Sequence, residues 1–441
     1  MTDVIFSFDT EDFTSSEAAD AIVTEANILR DEGVRGCFCL VGLLAKQLVS
    51  WGRADVIEAL SHHEVDCHSY GHTYHPMINE YTDIEDYKAA HDEVVRQETL
   101  ALRYIREATG REKVFAACPP GNSKSYAAMY AYADMGIPVY CDTVCDTVDD
   151  RGVWYCNIYQ MEYSVCVDGG DGLYMSGDEE RLRAELDHMA GLRHAIVYTH
   201  PHYSLFSVHW DVLNYDKVNR YPFGQWVKAP RWPREKSDAF YASMRKFVRM
   251  IKADPRFSIT TYEEIAARNA ALPPRVINRG DLPQLRAALR ERLFSVTSPG
   301  SFCLTDMFLA CRDMLLGKEE HACGKVYGFL SAPVPAASRF RVSAEDMRAS
   351  AASLPADGFL PEIIDVGGGK IGPADWLYAA LDILCGEKEA EIIPGRPQLP
   401  SLDEIPQTRD LKLKGTWRHS DDFEDRYLSD RLRWQSWTMR F

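Results

Sequence analysis

The sequence predicts an α/β fold: a mainly parallel sheet covered by helices, followed by a smaller, mainly helical region. Three observations predict it. Short apolar runs of strand character alternate with segments of helical period from residue 4 to about residue 265. Polar clusters recur directly after those runs, where ligands gather in parallel α/β folds. The alternation then stops at Asn269-Ala270-Ala271-Leu272-Pro273-Pro274, which sets the expected boundary between a first region, 1–272, and a second, 276–441.

The first strand is Val4-Ile5-Phe6-Ser7-Phe8, and it runs into Asp9-Thr10-Glu11-Asp12. Side chains alternate along a strand, so Asp9 and Glu11 share one face and Thr10 takes the other. A helix is expected from Ser15 to Glu32, stopped by Gly33; then come a strand (34–42), a helix (43–62) and a short strand, Glu64-Val65-Asp66-Cys67. That strand leads into His68-Ser69-Tyr70-Gly71-His72. A long charged helix (82–110), a strand ending at Cys118 and Pro119-Pro120-Gly121 follow. After them come a helix (123–135), a strand ending at Cys141 before Asp142, and β-rich sequence through Val167. The last part holds a helix (179–192), the strand Ala195-Ile196-Val197-Tyr198 ahead of Thr199-His200-Pro201, a helix (237–253) and a final strand at 257–261. Five strand ends thus carry polar or special residues, which argues for one shared pocket.

Composition narrows the function classes. The chain of 441 residues is 46% apolar and 26% charged, with net charge −17. That sign disfavours nucleic acid or an anionic membrane as the main partner. No run reaches eighteen apolar residues, so no spanning helix is expected, and the N-terminus lacks a basic, cleavable leader, which points to the cytoplasm. Twelve cysteines contain no C-x-x-C pair. Core packing as reduced thiols suits them better than a four-thiolate zinc site. A homo-oligomer is compatible with the sequence and not required by it.

His68 and His72, four apart after a strand, can aim two imidazoles at one point, and a strand-end carboxylate would complete a His₂-carboxylate metal site. Such a site can activate water. Amide hydrolysis further needs a base and an acid. Asp9, deeper on the face of Glu11, suits the base, and His200 suits the acid.

Phe8-Asp9-Thr10-Glu11-Asp12, His68-Ser69-x-x-His72, Pro119-x-Gly121 and Val197-Tyr198-Thr199-His200-Pro201 resemble, in this order, the motifs of the polysaccharide deacetylase (carbohydrate esterase) family. The resemblance covers residues 3 to about 268. It implies a distorted (β/α)₇ barrel and a divalent metal, usually Zn²⁺, with Co²⁺, Ni²⁺ or Mn²⁺ as alternatives. It also implies removal of an acetyl group from an N-acetylated amino sugar or oligosaccharide. Carried over, Asp9 is the base, His68 and His72 the metal histidines and His200 the acid. Glu11 is the third ligand, with Asp12 as its rival. Asp142 resembles the carboxylate that orients the acid, with Asp146 as a rival. The family's third motif carries an Arg where this chain has Ala117, with Lys124 near in sequence as a substitute. Two other readings remain: hydrolysis of a small amide or ureide, as in an allantoinase, and an inactive barrel that binds a glycan or a partner.

The second region contains a repeat. Residues 304–315 match 373–384 at a constant offset of 69, with Gly317 and Gly386 in register, so diverged copies fall at about 301–318 and 370–387. The stretch from Leu360 to Leu377 is weakly similar to pseudomurein-binding repeats, which implies contact with a cell-wall glycan. The tail Trp434-Gln435-Ser436-Trp437 is expected to pack against the barrel or touch a glycan. Eight aromatic residues (Tyr70, Tyr74, Tyr203, Phe206, Trp210, Tyr221, Phe223 and Trp226) are expected to form the pocket rim and to suit sugar faces.

Overall fold

The structure, a computed structural model, describes residues 1–120, 124–145, 150–168, 172–405 and 419–441. Gly121 of the third motif and Asp146 fall outside them. The chain forms two compact units. The first comprises Met1–Gly152, Gln160–Ala271 and Lys412–Arg426; the second comprises Val153–Tyr159, Leu272–Leu411 and Tyr427–Phe441. Residues 153–159 fall in the second unit and 419–426 in the first, an exchange that no local pattern announced.

In the first unit, β1 (Thr2–Thr10), β2 (Cys37–Leu40), β3 (Glu64–Cys67), β4 (Ala116–Ala117) and β5 (Val139–Cys141) are joined by β8 (Val165–Cys166), β9 (His194–Thr199) and β10 (Phe257–Ile259); β6 (Val153–Tyr155) and β7 (Ile158–Met161) come between β5 and β8 in the chain. Their order is β5-β4-β3-β2-β1-β9-β8, with β10 also on β1, and the paired neighbours are parallel. β1 is the shared strand. One edge pairs with β9 along Asp3–Phe8; the other pairs with β10 at Thr2–Val4 and then with β2 at Ser7–Thr10. The result is a parallel, partial barrel with helices on its outer face, the α/β architecture expected.

Register sorts the side chains. Phe8 and Phe38 are partners on the outer face, their rings stacked with centroids 4.3 Å apart. On the inner face Ser7 lies beside Cys37 and Glu64, and Asp9 beside Cys39 and Asp66. Helices Ala19–Asp31, Gly42–Ser50 and Tyr87–Thr109 cover the outer face with residues such as Ile22, Leu29, Leu44, Leu48 and Ile105, all buried. The long helix begins where Asp86 accepts from the Ala89 amide and ends at Gly110, φ 70°, a left-handed position that glycine tolerates. The helix expected over 43–62 is two, Gly42–Ser50 and Ala54–Leu60, because the chain turns through Gly52 at φ 67°.

The second unit is less purely helical than expected. Its repeat extends beyond the matching helices to a strand–helix–helix–strand module. Strands Val276–Asn278 and Glu320–Ala322 pair around helices Leu282–Glu291 and Leu304–Leu315. Strands Phe340–Ser343 and Glu389–Ile392 pair around Ala344–Ser353 and Pro373–Leu384. A further hairpin joins Ile364–Val366 to Gly369–Ile371. The two repeat aspartates do equivalent work. Asp306 Oδ2 accepts from the Cys303 amide at 3.0 Å, and Asp375 Oδ2 from those of Gly372 (3.3 Å) and Ala336 (3.0 Å). Both are fully buried. Trp437 of the tail is also fully buried, in the second unit's own core against Phe308 and Phe329, with Nε1 donating to the Gln398 carbonyl. With Trp376 buried too, neither ring is available as a glycan platform. Asp306→Ala and Asp375→Ala should each destabilise the second unit by about 2–3 kcal/mol, the size of a lost cap plus orphaned donors. Urea unfolding followed by tryptophan fluorescence checks this; a change below roughly 0.5 kcal/mol would show the caps to be incidental.

Candidate active site

At the C-terminal ends of β1, β3, β8 and β9 a cavity of about 410 Å³ is lined by Asp9, Glu11, His68, His72, Pro119, Pro120, Tyr163, Tyr198, His200, Tyr203, His209, Asp211 and Val212. Five of the six predicted site residues line it: Asp9, Glu11, His68, His72 and His200.

Glu11 is the hub. Its Oε2 lies 2.5 Å from His72 Nε2 and 3.3 Å from His68 Nε2. The three ligand atoms fall within 4.8 Å of one another, and all three residues are buried. The loop that makes this possible is strained. Ser69 (φ 65°) and His72 (φ 52°) both take left-handed conformations, and the Ser69 hydroxyl accepts from the His72 amide at 3.1 Å. Thr73 Oγ1 lies 3.3 Å from His72 Nδ1, which leaves Nε2 for the centre of the site. Burial alone would raise the Glu11 carboxyl, but the imidazoles of His72, His209 and His68 hold it well below the usual carboxylate range. Burial lowers His72, favouring the neutral ring that a metal needs. A carboxylate and two imidazoles converging on one point therefore fit a divalent cation.

Asp12, the rival ligand, is spent elsewhere. Its Oδ1 accepts from the amide and hydroxyl of Thr14 at 2.9 and 2.6 Å, and its Oδ2 meets His202 Nδ1 at 2.8 Å. Asp9 faces the cavity, with Oδ1 accepting from the Tyr163 hydroxyl at 3.1 Å and Oδ2 3.7 Å from His200 Nε2.

The partner of His200 is the clearest correction. Asp168, not Asp142, holds it: Asp168 Oδ2 lies 2.9 Å from His200 Nδ1 and accepts from the Thr199 hydroxyl at 3.1 Å and from the His200 amide. Asp142 ends β5, 3.0 Å from Lys124 Nζ, and is not among the described residues lining the cavity. Sheet order is the reason. β8 is hydrogen-bonded to β9, whereas β5 lies on the far side of β1. Asp168 follows a short strand just as the other site residues do, and that strand-end position was the signal for it. Ala117 is likewise not the residue that faces Asp9. It pairs in register with Cys67, whose thiol points outward to Glu98, so the inward position is Cys118, with Sγ 3.2 Å from Cys39 Sγ.

Two further residues reach Glu11, a contact that no sequence pattern indicated. His209 Nε2 approaches Glu11 Oε1 at 2.7 Å without lining up for a hydrogen bond, and its Nδ1 is held by Asp211 at 2.7 Å. Trp210 Nε1 donates to the same Glu11 oxygen at 3.2 Å. The aromatic expectation is met only in part. The tyrosines lining the cavity are Tyr163, Tyr198 and Tyr203. Trp210 is buried, Phe206 stacks on His202, and Phe223 and Trp226 gather around Phe13, which anchors the loop.

No protein-family model matches the chain. No curated protein matches it either. Solved structures do. A protein from Mycobacterium smegmatis assigned as a polysaccharide deacetylase aligns over 62% of this chain and 92% of its own, at 17% identity and TM-score 0.40. An allantoinase aligns over 62% and 92%, at 13% identity and TM-score 0.41. A CE4 family pseudoenzyme from Bacillus anthracis aligns over 60% and 65%, at 14% identity and TM-score 0.34. The chain is thus similar in structure to proteins of the polysaccharide deacetylase type, and to an allantoinase.

The division of labour between Glu11 and Asp12 is testable. Glu11→Gln should weaken zinc binding by more than the ~10–100-fold typical of losing an outer-shell partner, whereas Asp12→Asn should leave zinc affinity within a few-fold. Calorimetric titration decides; the reverse ranking would assign the ligand to Asp12.

Proposed function

We propose that the first unit is a metal-dependent hydrolase that removes the acetyl group from an N-acetylated amino sugar or short oligosaccharide. The observation that carries this reading is the convergence of two sets on one cavity: Glu11, His68 and His72, and Asp9 with the Asp168–His200 pair. A divalent cation held by Glu11, His68 and His72 would polarise the scissile carbonyl and make water nucleophilic near neutral pH.

The chain's own groups supply the proton transfers. Tyr163 occupies Asp9 Oδ1, which leaves Oδ2 toward the cavity as the base. Asp168 fixes His200 with Nδ1–H donated to it, so Nε2 faces the cavity and can protonate the departing amine. Burial acts to lower the His200 pKa, but Asp168, with smaller help from Glu11 and Asp9, raises it to about 9. The ring is therefore protonated at neutral pH, as an acid must be.

The cavity wall supports the acetamido substrate. Among the described residues lining it there is no Lys or Arg, and three tyrosine rings form part of the wall. A compact polar ureide would call for fixed cationic donors, whereas an uncharged acetamido sugar calls for aromatic faces and few charges.

The assay is acetate release from soluble N-acetylated hexosamine oligomers with zinc, beside ammonia or urea release from small ureides. Acetate is the expected product; ureide turnover without acetate would assign the site to cyclic or linear amides instead. His200→Ala should lower kcat by about 10²–10⁴-fold. Because the acid works only when protonated, the rate should fall as pH rises through about 9. Asp168→Asn removes the charge that raises His200, so this alkaline limb should move down toward about 6.5, the ordinary histidine value. An unmoved limb would exclude His200 as the titrating acid.

A further inference from the structure

Beneath Glu11 and His68, the inner face of the sheet carries groups that barrel interiors rarely hold. Such interiors are usually filled by branched apolar side chains. Here the inward positions of β3 are Glu64 and Asp66, below His68, and Cys37 stands beside Glu64 in register on β2. Ligand atoms of Cys37, Glu64 and Asp66 all lie within 4.8 Å of one another, and all three residues are buried, Asp66 and Cys37 fully.

Each carboxylate has one oxygen satisfied and one orphaned. Glu64 Oε1 accepts from the Glu263 amide at 2.9 Å, and Asp66 Oδ1 from the amides of Phe115 and Ala116 at 2.8 and 2.9 Å. Glu64 Oε2 and Asp66 Oδ2 are buried without a hydrogen-bond partner. The nearest guanidinium, Arg35, is half-exposed and engages Glu263 at 2.8 Å. Two carboxylates in a closed interior require either a shared proton or a cation. The Cys37 thiol, within 4.8 Å of an oxygen of each carboxylate, supplies the third donor that a cation needs.

We propose that Cys37, Glu64 and Asp66 form a second, structural metal site for a borderline-soft divalent cation of the Zn²⁺ or Co²⁺ kind, separate from the site of Glu11, His68 and His72. A thiolate with two carboxylates selects against Mg²⁺ and Ca²⁺, which prefer all-oxygen shells. Tetrahedral Zn²⁺ with bonds of about 2.0–2.3 Å spaces its ligands within the separation found here. Burial raises the Cys37 thiol and both carboxyls, and Glu64 adds repulsion on Asp66. Cys37 and Glu64 begin β2 and β3, and none of the three residues lines the cavity, so bound metal would secure the fold rather than act on substrate.

The test is Co²⁺ titration of the metal-stripped full chain, read by stoichiometry and by near-ultraviolet thiolate-to-cobalt charge transfer, which a set of two histidines and a carboxylate cannot produce. Two equivalents are expected, one of them giving the band. Cys37→Ser should abolish the band, and Asp66→Asn should remove one equivalent along with it. The His68→Ala/His72→Ala double variant should lose the other equivalent and keep the band. A single equivalent without the band in the unaltered chain would overturn the proposal, and so would a band that survives Cys37→Ser. Circular dichroism of Cys37→Ser matching the unaltered chain separates loss of a ligand from loss of fold.

Discussion

Glu11 sits almost fully buried at the end of the strand shared by both sides of the sheet. An ionised carboxylate there costs several kcal/mol unless donors or positive charge meet it. The arrangement of the site follows from how that cost, and the like cost of its neighbours Asp9 and Asp12, is met. Each carboxylate has its own partners: Tyr163 and His200 for Asp9, His68, His72 and His209 for Glu11, Thr14 and His202 for Asp12. Three acids within four residues are thereby given three separate sets of partners.

Strand alternation makes the assignment. Asp9 and Glu11 share the inner face because they are two apart, and parallel register continues that face into Cys39 and Asp66, then His68. The same rule places Ala117 outward and Cys118 inward. A one-residue shift in the register of β1 would turn Asp9 and Glu11 to the helix side and empty the cavity of both.

Much of this was legible in the sequence. Apolar runs ending in acid, histidine or proline marked the strand ends, and the spacing of Asp9, Glu11, His68 and His72 already implied one face and one point. What the sequence could not supply is sheet order. Asp142 and Asp168 both follow strands, and only the adjacency of β8 to β9 makes Asp168 the partner of His200. His209 and Asp211 lie at the start of a five-residue helix, Trp210–Asn214, too short for a period to reveal direction. The aromatic loop residues were visible, but whether a ring lines a cavity or anchors a loop depends on what packs behind it, and Phe13 draws Trp210, Phe223 and Trp226 toward itself. In the second unit the repeat was legible as a pair of helices. Its extension to flanking strands was not, because three-residue strands such as Val276–Asn278 carry too little alternation to stand out.

The central claim is that strand-end geometry brings Glu11, His68 and His72 to a single cation. Anomalous diffraction at the zinc edge, from crystals of the full chain equilibrated with Zn²⁺, tests it most directly. The account predicts a peak in the cavity within bonding distance of Glu11, His68 and His72, with Asp12 still held by His202 and Thr14. A cavity without a peak, or a peak bound through Asp12 with Glu11 turned away, would contradict it.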